Sequence, residues 1–100
     1  MTELPEYTAD CAALLKLLSD ETRLAVVELL LEGPKHVGEM NELLHVEQSL
    51  LSHHLRSLRD AGIVTSRRDG KAVLYSLSPK FRCNTTRKAI DLGCCKISFD

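Results

Sequence analysis

Apolar residues recur with helical spacing through the first 61 positions of the chain. One stripe predicts a first helix over about residues 8–18; it consists of Cys11, Leu14, Leu15 and Leu18. A second helix is predicted over about 20–32, where Asp20 is a good N-cap and Gly33-Pro34 ends the pattern. Apolar side chains cover most of its circumference, which is typical of a central, buried helix.

A short helix, a break and a longer helix follow. The break falls at His45-Val46, and the longer helix is predicted over about 47–61, before Gly62. The buried stripe of the longer helix consists of Leu51, Leu55 and Leu58. This succession is the geometry of a helix-turn-helix, whose second helix enters the major groove of DNA.

From residue 63 the apolar period changes to two, which predicts strands. One strand is predicted over 63–68 and a returning strand over 71–77. Asp69-Gly70 is expected to form the two-residue turn between them, because both residue types tolerate the positive φ angles that such turns require. Pro79 ends the second strand.

The last part of the chain carries weaker signals. A helix is predicted over part of 80–92, although Asn84, Thr85 and Thr86 are poor helix formers, and Gly93 breaks it before a tail without a clear period. The 100 residues are therefore expected to form one α+β domain. Its fold is predicted to be a winged helix-turn-helix of about five helices with a two-stranded β-hairpin wing.

Residues suited to reading DNA lie off the buried stripe of the longer helix; they are Gln48, Ser49, Ser52, His53 and Arg56. Gln can bond adenine bidentately and Arg favours guanine, while Ser and His can reach bases or phosphates. The wing tip carries Arg67, Arg68 and Lys71, which are suited to phosphate or minor-groove contacts. Double-stranded DNA is the partner that this pattern predicts.

Net charge alone argues against a nucleic-acid binder, because it is −1. Its distribution argues otherwise: residues 1–32 hold seven acids against two basic residues, whereas 53–71 hold five basic residues against two acids. A dimer could present the second region to phosphates. No secretory signal or apolar stretch of about 18 residues is visible, so a cytoplasmic protein without a membrane segment is expected.

Three segments carry a resemblance to a known family: LSDETRL at 18–24, QSLLSHHLRSLRDAGIV at 48–64 and RDGKAVLYSL at 68–77. Together they strongly resemble the ArsR/SmtB family of repressors, over about residues 8–79. The resemblance implies a homodimer docked through its first and last helices, the latter in 80–100, that represses transcription until an inducer weakens operator binding. It also places the five residues of the longer helix on DNA.

Two inducer sites known in that family are missing. The arsenic sensors' Cys-x-Cys pair aligns with His36 and Gly38, and the zinc sensors' last-helix histidines have no counterpart, since no His follows His54. Four cysteines remain: Cys11, Cys83, Cys94 and Cys95. In the cytosol they are expected to be thiols, and soft thiolates select As(III), Sb(III), Cu(I), Cd, Pb or Zn.

Cys94 and Cys95 are the leading metal ligands, because some members of the family carry such a pair in an arsenical site. Neighbours on a strand point to opposite faces, so the pair can converge only if Gly93 permits a turn. Cys83 or Cys11 is a possible third ligand. Cys83 is 11 residues from Cys94, about 16 Å along a continuous helix, and Cys11 lies on an apolar stripe that also suits a packed thiol.

The sequence thus favours a repressor of a metalloid-resistance operon, released by As(III) or Sb(III) and using no organic cofactor. A redox- or sulfur-responsive repressor, bridged from Cys83 to Cys94 or Cys95 or between subunits, stays open. So do a sensor of another soft metal and a non-DNA interaction module. An enzyme is not expected: neighbouring side chains in Ser52-His53-His54 point about 100° apart, with no acid placed to orient them.

Overall fold

The computed structural model describes residues 6–99, and within that range no helix is long and apolar enough to cross a membrane. Four α-helices and five strands follow one another, with a 3-10 turn after the third strand. Their order is α1 Glu6–Leu17, α2 Glu21–Leu31, β1 Lys35–His36, α3 Val37–Leu44, α4 Gln48–Asp60, β2 Val64–Asp69, β3 Ala72–Leu77, the 3-10 turn Pro79–Phe81, β4 Ala89–Asp91 and β5 Lys96–Ser98.

The four helices stand where the apolar periods predict them. Asp20 caps α2, its carboxylate accepting from the backbone N–H of Arg23 at 3.0 Å. The chain breaks between α3 and α4 at His45, which has a φ of 53°. The core joins α2, α3 and α4 to the wing through side chains of 0% exposure: Val26, Val27, Leu30, Met40, Leu51, Leu55, Leu58 and Ile63.

The wing is an antiparallel β2–β3 hairpin, with the short β1 added on the other side of β3. Its turn lies one residue later than predicted: Asp69 pairs with Ala72, which leaves Gly70 and Lys71 as the loop. Gly70 has a φ of +65° at the first loop position, where a type II′ turn requires glycine. The winged helix-turn-helix is therefore confirmed, with this shift of register.

The prediction of a fifth helix in 80–92 is wrong. The chain instead makes the 3-10 turn, an irregular stretch and a β4–β5 hairpin in which Ile90 pairs with Ile97. Ala89, Ile90 and Leu92 are all at most 9% exposed, so this segment packs against the core. Helix-poor Asn84, Thr85 and Thr86 precede β4, and β-branched isoleucines favour the strand pairing.

Candidate functional site

The outer face of α4 carries the five residues predicted to read DNA. All of Gln48, Ser49, Ser52, His53 and Arg56 are exposed, and together they line one shallow, open groove. The opposite face buries its leucines completely and holds the helix against α2 and α3. The 3.6-residue period of the sequence therefore separates a packing face from a polar face.

Most polar groups on that face are available to a ligand. Among the described residues, the side chains of Gln48, Ser52, His53 and Arg56 make no hydrogen bond or ion pair within the chain. Ser49 contacts the carboxylate of Glu47, the N-cap residue of α4. Because amide, hydroxyl, imidazole and guanidinium groups cover both donors and acceptors, the face has the chemistry of major-groove recognition.

His54 does not belong to this face. It is 6% exposed, and its Nδ1 accepts a hydrogen bond from Nε of Arg23 at 3.0 Å. Nη1 of the same arginine donates to the Leu17 carbonyl at 3.0 Å, so the end of α1, the start of α2 and α4 are tied together. The sequence held the signal: His54 is three residues after Leu51, on the buried stripe.

Asp20 completes this arrangement. Its Oδ1 lies 3.8 Å from Nε2 of His54 as well as on the Arg23 backbone N–H. That backbone hydrogen bond is the main cause that lowers the pKa of Asp20 below its ordinary value, and the His54 ring adds to the effect. The carboxylate thus stays ionised where it caps α2, and the network was not foreseen from the sequence.

At the wing, Arg67, Arg68 and Lys71 are exposed, and no described residue forms an ion pair with them. The acid between them is engaged: Oδ2 of Asp69 lies 2.8 Å from Nε2 of His36. Nδ1 of His36 lies 2.9 Å from Oε1 of Glu39, which also accepts from the His36 backbone N–H at 3.0 Å. The basic side chains of the wing are therefore free to meet phosphates.

A cluster of three sulfur atoms lies at the β4–β5 turn. The Leu92 N–H donates to the Cys95 carbonyl at 2.8 Å, which closes a tight turn over Gly93, whose φ is +90°. The turn brings Sγ of Cys94 and Sγ of Cys95 to 3.9 Å. Cys11 of α1 reaches the same place, and the three sulfurs lie within 4.8 Å of one another.

Cys11 and Cys94 are joined as a disulfide, with Cα atoms 6.3 Å apart. The expectation that all four cysteines are thiols is therefore wrong for this pair, and the bridge within the chain does not join Cys83 to Cys94 or Cys95, as one of the sequence-based alternatives had it. A cleft of about 360 Å³ opens beside the pair, lined in part by Leu14, Phe81 and Leu92.

Cys83 stands apart from the cluster. Its Sγ lies 3.2 Å from Oγ1 of Thr85, and this hydrogen bond is the main cause that lowers the pKa of the thiol below its ordinary value. Backbone N–H groups of Thr85 and Thr86 and the charge of Lys96 act in the same direction. Of the two possible third ligands named from the sequence, the structure brings Cys11 to the pair and leaves Cys83 elsewhere.

Residues 20–66, which hold α2 to α4 and the start of the wing, match the model of a family described as "Bacterial regulatory protein, arsR family". The transcriptional activator HlyU of Vibrio cholerae is 37% identical over 78 residues, which are 78% of this chain and 72% of HlyU. This chain belongs to the arsR family. Its fold and its helix-turn-helix are those of a DNA-binding transcriptional regulator of the ArsR/SmtB type, not of an enzyme.

Other relatives differ in what their names report. The repressor SmtB of Mycobacterium tuberculosis is 43% identical over 75 residues, 74% of this chain but only 56% of SmtB. An arsenical resistance operon repressor of Staphylococcus xylosus is 36% identical over 72 residues, 72% of this chain and 69% of that repressor. Membership of the arsR family therefore supports operator DNA as the partner, but it does not identify the inducer.

Solved structures agree with this assignment. HlyU from Vibrio cholerae superposes with a TM-score of 0.71 at 37% identity, over 75% of this chain and 82% of HlyU. The transcriptional repressor BigR from Xylella fastidiosa gives a TM-score of 0.69 at 39% identity, over 74% of this chain and 73% of BigR.

Proposed function

We propose that this arsR-family chain is a homodimeric repressor that leaves its operator when As(III) or Sb(III) binds Cys11, Cys94 and Cys95. The observation that carries the proposal is the convergence of three sulfur atoms within 4.8 Å. Two come from adjacent residues that a turn brings together, and the third comes from a helix more than eighty positions away along the chain.

The chemistry of trivalent arsenic fits such a cluster. Arsenous acid and three thiols give a trithiolate and three waters, with all three sulfurs on one side of the ion and no change in oxidation state. The reaction requires reduced cysteines, so the Cys11–Cys94 bridge must first gain two electrons from a thiol or other reductant. Soft thiolates prefer soft ions over magnesium or calcium. Cadmium and lead are competing soft ions that a direct comparison must separate from As(III) and Sb(III).

DNA contacts are assigned to two elements. The polar face of α4 reads base edges through Gln48, Ser49, Ser52, His53 and Arg56. The wing contacts phosphates through Arg67, Arg68 and Lys71. Both sets are exposed, and the basic wing belongs to a domain whose first 32 residues hold seven acids against two basic residues.

A second subunit supplies the other recognition helix. Leu15 on α1 is 43% exposed, which leaves an apolar side chain for a partner helix, and a domain of this size gains stability from such burial. The last helix that the family resemblance implied for docking is replaced by β4–β5. We therefore assign the dimer contact mainly to α1, the helix that also carries Cys11.

This placement suggests how ion binding weakens DNA binding. An ion drawn between α1 and the β4–β5 turn re-seats α1, the proposed dimer helix. The end of α1 is tied through Arg23 to α2 and to α4 by the Leu17 and His54 hydrogen bonds. Two recognition helices must meet half-sites about 34–36 Å apart, so a small rotation between subunits spoils simultaneous docking.

Thiol oxidation is a second candidate signal, and the Cys11–Cys94 disulfide favours it. Two thiols lose two electrons and two protons to form the bridge, and one molecule of hydrogen peroxide takes them up to become two waters. Cys95 stays a free thiol beside the bridge and could exchange with it. The same three cysteines thus account for a response to either As(III) or an oxidant.

A release assay separates the two. The fully reduced protein is bound to a labelled operator fragment and exposed to As(III), Sb(III), Cd(II), Pb(II), Zn(II), Cu(I) or peroxide, with Cys83→Ser as the matched control. We expect As(III) and Sb(III) to release both proteins at the lowest concentrations. Release by peroxide alone supports the redox candidate, and release by none of these reagents contradicts both.

A further inference from the structure

The wing tip is tied to the start of the helix-turn-helix through one imidazole. His36 is the last residue of β1 and the residue before α3, and its ring nitrogens face two carboxylates from different elements. Nδ1 lies 2.9 Å from Oε1 of Glu39 in α3, and Nε2 lies 2.8 Å from Oδ2 of Asp69 at the end of β2. These distances place the ring between the helix and the wing.

Both contacts can be hydrogen bonds at once only if the ring carries a proton on each nitrogen. A carboxylate accepts and cannot donate, and a neutral imidazole has a single N–H. We propose that His36, as an imidazolium held between Glu39 and Asp69, is a positioning residue that fixes the angle of the wing for DNA binding. The inference rests on the wing–phosphate contacts proposed above and is independent of the thiol cluster.

The sheet explains why this contact would orient the basic side chains. His36 pairs with Leu74 and Leu74 pairs with Arg67, so His36 and Arg67 occupy one row across three strands. Asp69 follows Arg67 by two residues, and residues i and i+2 of a strand share a face. The imidazolium therefore holds the side of the wing on which Arg67 lies, next to the exposed Arg68 and Lys71.

The surrounding charges determine how the contact of His36 with its two carboxylates depends on pH. The two carboxylates facing the ring, Asp69 first and Glu39 second, raise the pKa of His36 above its ordinary value of 6.5. Lys35, its neighbour in β1, points its ammonium at Glu32 with 3.5 Å between Nζ and Oε1. Because the folded-state pKa of His36 is raised, the contact is present just below pH 6.5, where the ring is charged and the carboxylates are ionised, and it is lost as the pH rises through the raised pKa.

The first test observes the ring itself. Long-range proton–nitrogen NMR spectra of the full chain, recorded from pH 5.5 to 8.5, report the protonation of both ring nitrogens of His36. We expect both to carry protons at pH 6.5, and Asp69→Asn to lower the titration midpoint. A neutral ring at pH 6.5, or a midpoint that Asp69→Asn leaves unchanged, overturns the proposal.

The second test links the ring to DNA. At pH 6, His36→Gln should weaken operator binding about two- to fivefold, the size expected for partly exposed ion pairs, and should flatten the pH dependence above pH 6.5. His53→Gln removes the histidine on the reading face, so any pH slope that is present in His53→Gln and absent from the double variant His36→Gln/His53→Gln belongs to His36. In a double-mutant cycle, His36→Gln and Asp69→Asn should be non-additive.

Two further measurements distinguish a failure of the positioning role of His36 from a failure of the proposed function. Unchanged affinity and pH slope in His36→Gln overturn the positioning role, and if Arg68→Ala also changes nothing, the proposed wing contact falls with it. His36→Gln should still be released by As(III), because the thiol cluster is elsewhere. Loss of As(III) release in that variant contradicts the independence claimed here.

Discussion

Two regions of this chain reach their structures by different routes. From α2 to β3 the fold follows repeating apolar periods and a continuous core, and this region includes the residues that match the arsR family model. From the 3-10 turn to β5 the chain has short strands, a glycine turn and three of its four cysteines. The first region follows a repeating pattern of burial, whereas the second is anchored in the core at a few positions such as Ile90 and places its thiols through one turn.

The contrast teaches where specificity in such a regulator resides. One face of α4 is exposed for DNA because the other face is buried. The 3.6-residue period of the apolar residues therefore determines which side chains can contact bases. The sulfur cluster depends instead on one turn at Gly93 and on how the tail meets α1, features that a few substitutions could create or remove.

The largest expected effect is a loss of release by As(III) without a loss of DNA binding, which would show that the two regions act separately. The double variant Cys94→Ser/Cys95→Ser should keep operator affinity near that of the wild type and lose release by As(III). The reason is that coupling of a few kcal/mol, enough for two or three powers of ten in affinity, exists only when the ion binds. Electrophoretic or fluorescence titration of operator DNA with and without As(III) measures both quantities. If As(III) still releases the double variant, sensing lies outside the cluster.

On the reading face, Arg56→Ala and His53→Ala should each weaken specific operator binding by about 1–3 kcal/mol, the range for a lost base contact. Release by As(III) should need no higher concentration in either variant, since the thiols are untouched. Titrations against operator and scrambled DNA measure the effect, and circular dichroism checks folding. Operator affinity equal to that of the wild type in both variants would reject this face of α4 as the reader.

The Arg23 network, which ties the end of α1 to α2 and α4, is expected to matter for stability. Arg23→Ala removes the donors to His54 and to the Leu17 carbonyl, and leaving such acceptors unpaired costs about 1–3 kcal/mol. Urea unfolding of the reduced protein measures this loss, with Arg59→Ala as the matched exposed arginine of α4, expected to change stability by less than about 0.5 kcal/mol. Equal effects of the two substitutions would contradict a structural role for the network.

The smallest effects are expected at the wing. Arg68→Ala should weaken binding to operator and unrelated DNA alike and should lower the salt slope of binding by about one unit, because one phosphate contact is lost. Titrations from low to moderate salt on both DNAs give the slope. A variant that changes sequence preference and keeps the wild-type slope would point to base contact in place of phosphate contact.

The sequence predicts the structure of the first region better than that of the second. The α-helices, the break at His45 and the wing could be predicted because burial imposes a period on the residues. The helix expected within 80–92 was wrong because the pairing of Ile90 with Ile97 is a contact between strands that local propensity does not reveal. The wing turn lies one residue later than expected because Asp69 pairs with Ala72 instead of standing in the loop. Cys11 could be named as a ligand but not chosen over Cys83, since only the folded tail decides which sulfur is near.

The central claim is that three sulfurs of one site, from Cys11, Cys94 and Cys95, hold the inducing ion. X-ray absorption of the reduced protein loaded with one As(III) per chain counts the sulfur neighbours of arsenic directly. The account predicts three sulfurs in the wild type and in Cys83→Ser, and two in Cys11→Ser with oxygen in the third position. Three sulfurs in Cys11→Ser, or two in Cys83→Ser, would contradict it.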